Sequence, residues 1–163
     1  MAYTIIKYNN QELAIAEIFV ELLSHFFCET FEEIGLSNFN GILTDIYDDC
    51  NENRKGMSGQ SVYILLEDIT TSGDKNTMIN VLQQTKIRIL SLGVELSVRR
   101  LNEFENNKVK DIYKQIWTIP VKTQSLATSL EFIVDLLNGT FQYSNKLVQY
   151  TNYPNIDGEY IMV

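Results

Sequence analysis

The single histidine of the chain lies close to one of its two cysteines, and together they could bind a metal ion or form a nucleophilic pair. His25 and Cys28 are three residues apart, so their side chains share one face of a helix. A zinc site needs two further ligands nearby, and a catalytic cysteine usually takes its base from another segment. The pattern therefore favours a small thiol in the core with a histidine at its border.

A second candidate is a group of carboxylates between residues 45 and 52. On a helix, Asp45 would face the same way as Asp49, and Asp48 the same way as Glu52. Oxygen ligands of this kind suit Mg²⁺ or Ca²⁺. Because the segment lacks the alternating acidic residues and the glycine of an EF-hand loop, we interpret it as a solvated acidic face.

A third pattern is similar to one found in metal-dependent nucleases, in which an aspartate precedes a Glu-x-Lys strand. There the carboxylates hold Mg²⁺ and the lysine supports the attacking water. Asp68 ends a predicted strand, and Gln84-Thr85-Lys86 follows 16 residues later. Because Gln84 stands where the pattern needs an acid, a metal ligand is weakened, and the nuclease is the least favoured of our function hypotheses.

Length and composition narrow the function classes. The chain has 163 residues, 45% of them hydrophobic, and a formal net charge of −8, which predicts one folded domain. The acidic balance argues against a general nucleic-acid coat, which needs clustered lysine and arginine. The sequence has no phosphate-binding glycine loop, no Gly-x-Ser-x-Gly elbow and no Cys-x-x-Cys pair. We predict a protein that is not an enzyme and has no catalytic residue, cofactor or metal.

The sequence also limits the compartment. No stretch reaches the roughly 18 apolar residues of a membrane helix, and residues 1–10 lack the apolar core of a signal peptide. We therefore expect no membrane partner and assembly in a cytosol, where Cys28 and Cys50 are free thiols. A disulfide between the two is the less favoured alternative.

Apolar residues at spacings of three and four predict three helices that would position these groups, over 11–35, 41–50 and 125–138. Gly35 and Asn138-Gly139 fit the ends of the first and last helix. Thr128-x-x-Glu131 fits a capping box. Residues 76–92 fit a helix or, from 86 onward, a strand, and we favour a helix that gives way to extended chain.

Continuous or alternating apolar runs predict strands over 60–69, 94–100 and 112–123. Pro120 removes a ladder donor, so the last of these strands ends or lies at an edge there. Two short strands, over 147–151 and 159–163, are predicted in the tail, with turns between them. This order predicts an α+β fold: a mostly antiparallel sheet with a long N-terminal helix and a late helix packed on it. We expect a single domain over 1–163, with 140–163 as a tyrosine-rich C-terminal tail.

Two groups of residues are candidates for contact with other proteins. Arg99 and Arg100, with the lysines that follow them, form a basic patch on an acidic chain, which would favour head-to-tail packing of identical subunits. Ordinary surface charge is the alternative. Tyrosine is enriched at interfaces, and the tail could pack on its own domain or reach a neighbour; its candidate residues are Tyr143, Tyr150, Tyr153 and Tyr160.

The element order resembles that of tail terminators and other neck proteins, the head–tail completion proteins of tailed phages. The comparable parts are the helices over 11–35 and 126–138 and the strands over 62–69, 94–100 and 113–121, with Trp117-Thr-Ile-Pro-Val-Lys as the last core strand. The resemblance implies a homomeric ring that caps the tail tube or joins it to the head. Its partners would be copies of itself and neighbouring virion or tail proteins, and its location the virion, assembled in the host cytoplasm.

Our leading hypothesis is therefore a structural ring subunit of a phage neck or tail, or of a related injection machine, with no sequence-specific nucleic-acid contact. The alternative is a small acidic inhibitor or immunity-type protein whose surface covers a basic site on a host or toxin protein. The native mass of the purified protein and the capture of one basic partner would discriminate between them.

Overall fold

The chain folds as an α+β protein, which confirms the predicted class. The structure, a computed structural model, describes residues 3–56, 63–110, 113–142, 147–149 and 160–162. The elements in chain order are β1 (Tyr3–Tyr8), β2 (Gln11–Ala16), α1 (Glu17–Ile34), a 3₁₀ turn (Leu36–Asn38), α2 (Ile42–Arg54), α3 (Ser72–Ser91), β3 (Glu95–Leu96), α4 (Val98–Asn106), β4 (Val121–Lys122), α5 (Thr123–Asn138), β5 (Leu147–Gln149) and β6 (Tyr160–Met162).

The strands form two small sheets. The larger has the order β1-β2-β5-β6, and the smaller joins β3 to β4. The β1–β2 ladder is the longest and is antiparallel, as is β3–β4, whereas β2–β5 and β5–β6 are parallel. The tail strands β5 and β6 thus lie within the two predicted ranges, but they pair side by side in the same direction rather than as a hairpin.

A tight turn joins β1 to β2. Tyr8 pairs with Gln11, which leaves Asn9 and Asn10 as a two-residue loop, and both have positive φ, 46° and 64°. These are the backbone angles of a type I′ turn, which matches the twist of a hairpin and favours asparagine or glycine. The turn sets the register, so that alternate residues of β1 face the interior or the surface.

Helix α1 forms the centre of the core. It packs against α2 and α3, and α5 packs against α3 and β2. The side chains of α1 are buried on nearly every side through its middle turns, as expected of a helix enclosed by neighbours. The largest are Phe19, Phe26, Phe27 and Phe31, each no more than 1% exposed.

The first predicted helix was too long at its N-terminus. Residues 11–16 form β2, and α1 begins at Glu17. Leu13 and Ile15 fit an alternating pattern as well as a helical one, and the pairing partner that decides between them is β1, which the sequence analysis did not predict. Gly35, with φ 101°, ends α1 as predicted, and the predicted helix over 41–50 is present as the longer α2.

Two of the predicted long strands are largely irregular chain. Residues 63–69 bury Ile64, Leu66 and Ile69 through local turns, because Leu66 N–H donates to Ile64 O and Ile69 N–H to Leu66 O. Residues 113–120 pair with no described strand, and β4 is the only part of the predicted strand over 112–123 that forms a strand among the described residues. Apolar side chains are thus buried without a ladder in 63–69. Segment 113–120 buries none completely: Trp117 is partly buried, and Ile116 and Ile119 are 86% and 41% exposed.

The predicted strand over 94–100 shrinks to β3 because a helix begins inside it. The Ser97 hydroxyl accepts a hydrogen bond from Arg100 N–H at 3.3 Å and starts α4. Val94, which the alternation predicts to be buried, is 83% exposed.

Helix α3 settles the ambiguous segment. It runs through 72–91 without a change to extended chain, and Thr71 caps it by accepting from Asp74 N–H. Helix α5 ends as predicted at Gly139, which has the left-handed φ of 72°. The predicted capping box is wrong. Helix α5 already begins at Thr123, so Thr128 and Glu131 lie inside the helix rather than at its N-terminus.

Among the described residues, no helix combines the length and the apolar character that a membrane crossing requires.

The β1–β2 turn gives a direct test of the register. We expect Asn10→Ala to lower the free energy of unfolding by about 1 kcal/mol, because alanine at positive φ is strained. Asn10→Gly keeps the turn and serves as the matched control, within about 0.5 kcal/mol of the parent. Urea unfolding followed by Trp117 fluorescence measures both. Equal stability of the two variants would contradict the assigned turn.

Candidate functional site

Cys28 lies in the core and both cysteines are free thiols, as predicted; His25, expected at the border of the core, is itself buried. His25 stacks on Phe104 with ring centroids 4.5 Å apart. Burial, with the nearby positive charges of Arg54 and Lys108, lowers the pKa of His25 to about 4. Cys28 and Cys50 are free and buried, and burial raises the pKa of the Cys28 thiol to about 12 and that of Cys50 well above its ordinary value.

The nuclease pattern does not form. Asp68 lies exposed in the loop before α3, and Gln84 and Lys86 lie on α3 rather than on a strand. Lys86 is engaged by Glu131 of α5. Throughout the described residues, no three histidine, cysteine, aspartate or glutamate side chains come together as a group that could hold a metal ion.

The predicted basic patch is divided. Arg99 is exposed, with Nε 3.6 Å from Glu103 Oε1, and Arg100 lies over the Phe104 ring at 5.8 Å. Lys110 lies over the Tyr113 ring at 5.8 Å. Lys108, the first of the three lysines that follow Arg100, is buried and takes no part in a surface patch. The candidate tyrosines Tyr143, Tyr150 and Tyr153 lie outside the described residues, and Tyr160 opens β6, where only the backbone is described.

That buried lysine, Lys108, is the centre of an ion network that the sequence analysis did not find. Its Nζ lies 2.6 Å from Glu21 Oε2 and 2.7 Å from Glu105 Oε2, and it also donates to Tyr113 O at 2.9 Å. The side chain of Lys108 is 1% exposed. All three donors of the ammonium thus have acceptors, which is what a buried cation requires.

Two side chains of α4 hold the extended segment 113–120, which we call the strap. Glu105 accepts from Gln115 N–H at 2.9 Å and from the Trp117 indole N–H at 3.1 Å. Asn102 accepts from Trp117 N–H and donates to Trp117 O, at 2.9 and 3.1 Å. The backbone groups of Trp117 and the N–H of Gln115 are therefore satisfied by side chains of α4, where a strand would use a neighbouring strand.

The four carboxylates of α2 lie on one side of the helix, as predicted. Asp45, Asp48 and Glu52 are exposed and Asp49 is half-buried, while Leu43, Ile46, Cys50 and Asn53 of α2 face the core. We call these four carboxylates the acidic face. In the described part of the chain none of the four makes an ion pair, although most other carboxylates of α1, α4 and α5 have a lysine or arginine within 4 Å.

Asp49 shows how concentrated this charge is. Its Oδ2 is buried and has no hydrogen-bond partner. Burial raises the pKa of Asp49 from 3.8 to about 6, and the negative charges of Glu52, Asp45 and Asp48 add to the increase, against a smaller opposing effect of the Tyr63 hydroxyl. Negative charge is thus held on α2 at a cost to the folded state, which marks the acidic face as the strongest candidate surface in the described chain.

Comparison with protein-family models, with curated proteins and with solved structures finds no match to this chain.

The ion network predicts a large asymmetry between two neighbouring lysines. Lys108→Met leaves the buried Glu105 and the partly buried Glu21 without a counter-ion, and we expect the free energy of unfolding to fall by about 3–5 kcal/mol. Lys110→Met, at an exposed position two residues away, should change it by less than about 0.5 kcal/mol. Combining Lys108→Met with Glu21→Gln removes one of the two uncompensated charges, while Glu105 keeps both of its N–H donors, and should restore part of the loss. Urea unfolding measures all three, and equal effects of the two lysine variants would refute the network.

We predict that replacing Asp49 with asparagine stabilises the protein at neutral pH but not at acidic pH. The pKa of Asp49 in the folded protein lies above its ordinary value of 3.8, so the folded protein binds this proton more readily than the unfolded chain does. The stabilising contribution of the bound proton therefore declines as pH rises from about 4 to about 6, and above that range it is absent. Asp49→Asn should therefore raise the melting temperature by about 2–4 °C at about pH 7.5, equivalent to roughly 1 kcal/mol after allowance for solvent screening. At about pH 4 the gain should vanish. Asp68→Asn, in an exposed loop, is the control; a gain that is the same at both pH values would contradict the cause assigned.

Proposed function

We propose that this protein acts by binding another protein rather than by catalysis, as a small acidic inhibitor or immunity-type protein. The observation that carries the proposal is the acidic face of α2, where Asp45, Asp48 and Glu52 are exposed and have no counter-ion among the described residues. A basic partner would supply the missing positive charge. A row of carboxylates repeats the charge of a nucleic-acid backbone, so the partner class that fits is a protein with a basic active-site groove.

The environment of the usual catalytic groups supports a non-enzymatic role. His25 and both thiols are buried, and the shifts of their pKa values all favour the uncharged forms. A thiol in this state is a poor nucleophile, because the thiolate is the reactive form. A histidine whose pKa is lowered to about 4 is a weak base at neutral pH.

The second candidate is the ring subunit of a phage neck or tail, located in a virion. The observation that favours it is the separation of charge between α2 and the region of α4, where Arg99 and Lys110 are exposed. A positive surface of one copy meeting the acidic face of the next would be a head-to-tail contact, which closes into a ring if the rotation allows. The strands on which the resemblance depended argue against this candidate. The described parts of 62–69 and 113–121 are largely irregular chain, and the strand over 94–100 is reduced to β3.

One matched pair of variants tests both candidates. The triple variant Asp45→Asn, Asp48→Asn, Glu52→Gln removes three charges from the acidic face. The triple variant Glu67→Gln, Asp68→Asn, Glu95→Gln removes three exposed charges elsewhere. After capture and identification of one stoichiometric basic partner, we expect the first variant to bind it roughly tenfold or more weakly and the second to bind within about twofold of the parent.

The outcomes separate the two candidates. Equal binding by the two variants would refute the acidic face as the contact surface. If instead the purified parent is a closed oligomer and only the α2 variant dissociates it, the ring subunit is favoured. Native mass spectrometry of the parent and both variants makes that distinction.

A further inference from the structure

Strand β1 is an edge of the larger sheet, and one side of its backbone points away from β2. The pair flanking a two-residue hairpin turn exchanges both of its hydrogen bonds, and bonded pairs then alternate along the ladder. With Tyr8 opposite Gln11, the bonded pairs are those of Tyr8, Ile6 and Thr4. The N–H and C=O groups of the other three residues therefore point outward, and within the described residues no strand pairs with that side.

The outward-pointing residues also carry exposed apolar side chains. Tyr3 is 55% and Ile5 45% exposed, and Lys7 completes the row. Beside them on β2 lie Ala16, Ala14 and Glu12, and Lys7 Nζ is 3.1 Å from Glu12 Oε1. Natural edge strands are usually short, or protected by proline, a bulge or several charges. Strand β1 is six residues long, has no proline or glycine, and its one charge is already paired.

We propose that β1 pairs antiparallel with β1 of a second copy of this chain, about a two-fold axis at Ile5, and so joins the two sheets into one. In this register Ile5 lies opposite Ile5 of the second copy, and Tyr3 lies opposite its Lys7. Each backbone group that points outward then meets a partner, and the three side chains form one row on the same face.

Charge and side-chain chemistry select this occupant and this register. The row Tyr3, Ile5, Lys7 is complementary to itself when reversed, because the ammonium meets an aromatic ring and the aliphatic residue meets its own copy. Centring the axis on Lys7 would oppose two like charges, which destabilises a cross-strand pair. Centring it on Tyr3 would leave Ile5 and Lys7 without described partners. The pairing does not depend on the proposed function, since β1 and α2 share no residue.

The two-fold axis permits a charge-complementation test. Since Ile5 faces its own copy, Ile5→Lys places two ammonium groups opposite each other and Ile5→Glu places two carboxylates. We expect the parent to be dimeric and each variant alone to dissociate at least roughly tenfold more readily. An equimolar mixture of the two should re-form a dimer containing one of each, because opposite charges then face each other. Native mass spectrometry resolves the mixed species by mass, and sedimentation equilibrium gives the dissociation constants.

Two further variants complete the test: a matched control for the added charge, and a cysteine variant that reports the same contact independently. Ile87→Lys adds the same charge at an exposed position of α3 and should leave the dimer unchanged. Ile5→Cys should form a disulfide-linked dimer under mild oxidation, since bonded antiparallel pairs bring Cα atoms to about 5.5 Å. Cys28 and Cys50 are buried with raised thiol pKa values, so they give a low background. This variant keeps the proposal falsifiable if the charged ones fail to fold.

Three results would overturn the proposal. The first is a parent that stays monomeric up to about 1 mM, which leaves less than about 4 kcal/mol for the contact. The second is a mixture of the lysine and glutamate variants that forms no mixed dimer while Ile5→Cys fails to cross-link. The third is a closed ring of higher order that Ile5→Lys leaves intact, which would assign assembly to the charged surfaces of α2 and α4 instead.

Discussion

The ammonium of Lys108 in the interior is the constraint on which much of the structure depends. A buried cation is tolerated only where every donor has an acceptor, and these acceptors come from α1, α4 and the strap: Glu21, Glu105 and Tyr113 O. One carboxylate, Glu105, also holds the strap through two N–H donors. The network therefore ties α1 to α4 and the strap, with Glu21 and Lys108 separated by 87 residues, and it explains how residues 113–120 are held without a strand partner.

The same network explains which parts of the fold could be predicted from sequence. Helices α2 and α5 follow from local periodicity, and the glycines at 35 and 139 end helices because positive φ favours glycine. The strap carries the best alternating pattern in the chain, around Trp117, yet it forms no strand. The side chains of Asn102 and Glu105, ten to fifteen residues away, replace the ladder, and a pattern of apolar residues does not contain that information. Lys108 was predicted as surface charge because its partner Glu21 lies 87 residues away.

The candidate surfaces were predictable to different degrees for related reasons. The acidic face of α2 follows from helical spacing alone, and its charges are where the sequence predicts them. The cost of holding this charge, visible in the buried Oδ2 of Asp49, comes first from burial, which helical spacing alone does not encode. The β1 edge was missed because residues 11–16 fit a helix until the Asn9-Asn10 turn pairs them with β1. Whether an edge exists is a property of the whole sheet, and no single segment encodes it.

The net charge of the chain affects the two proposed contacts, pairing through β1 and binding at the acidic face, in opposite ways. Each copy carries a net charge of −8, so bringing two copies together is opposed by repulsion, which salt screens over a Debye length of about 8 Å at physiological ionic strength. At the β1 edge the local charges, Lys7 and Glu12, are paired with each other, and the proposed contact would be formed by backbone groups and apolar side chains. We therefore expect added salt to strengthen the proposed pairing through β1. Binding of the proposed basic partner to the acidic face would be attractive over the same distances, and we expect added salt to weaken it. The opposite responses arise from one charge distribution, in which, among the described residues, the carboxylates of α1 and α4 are largely paired with lysine or arginine and the four of α2 make no ion pair.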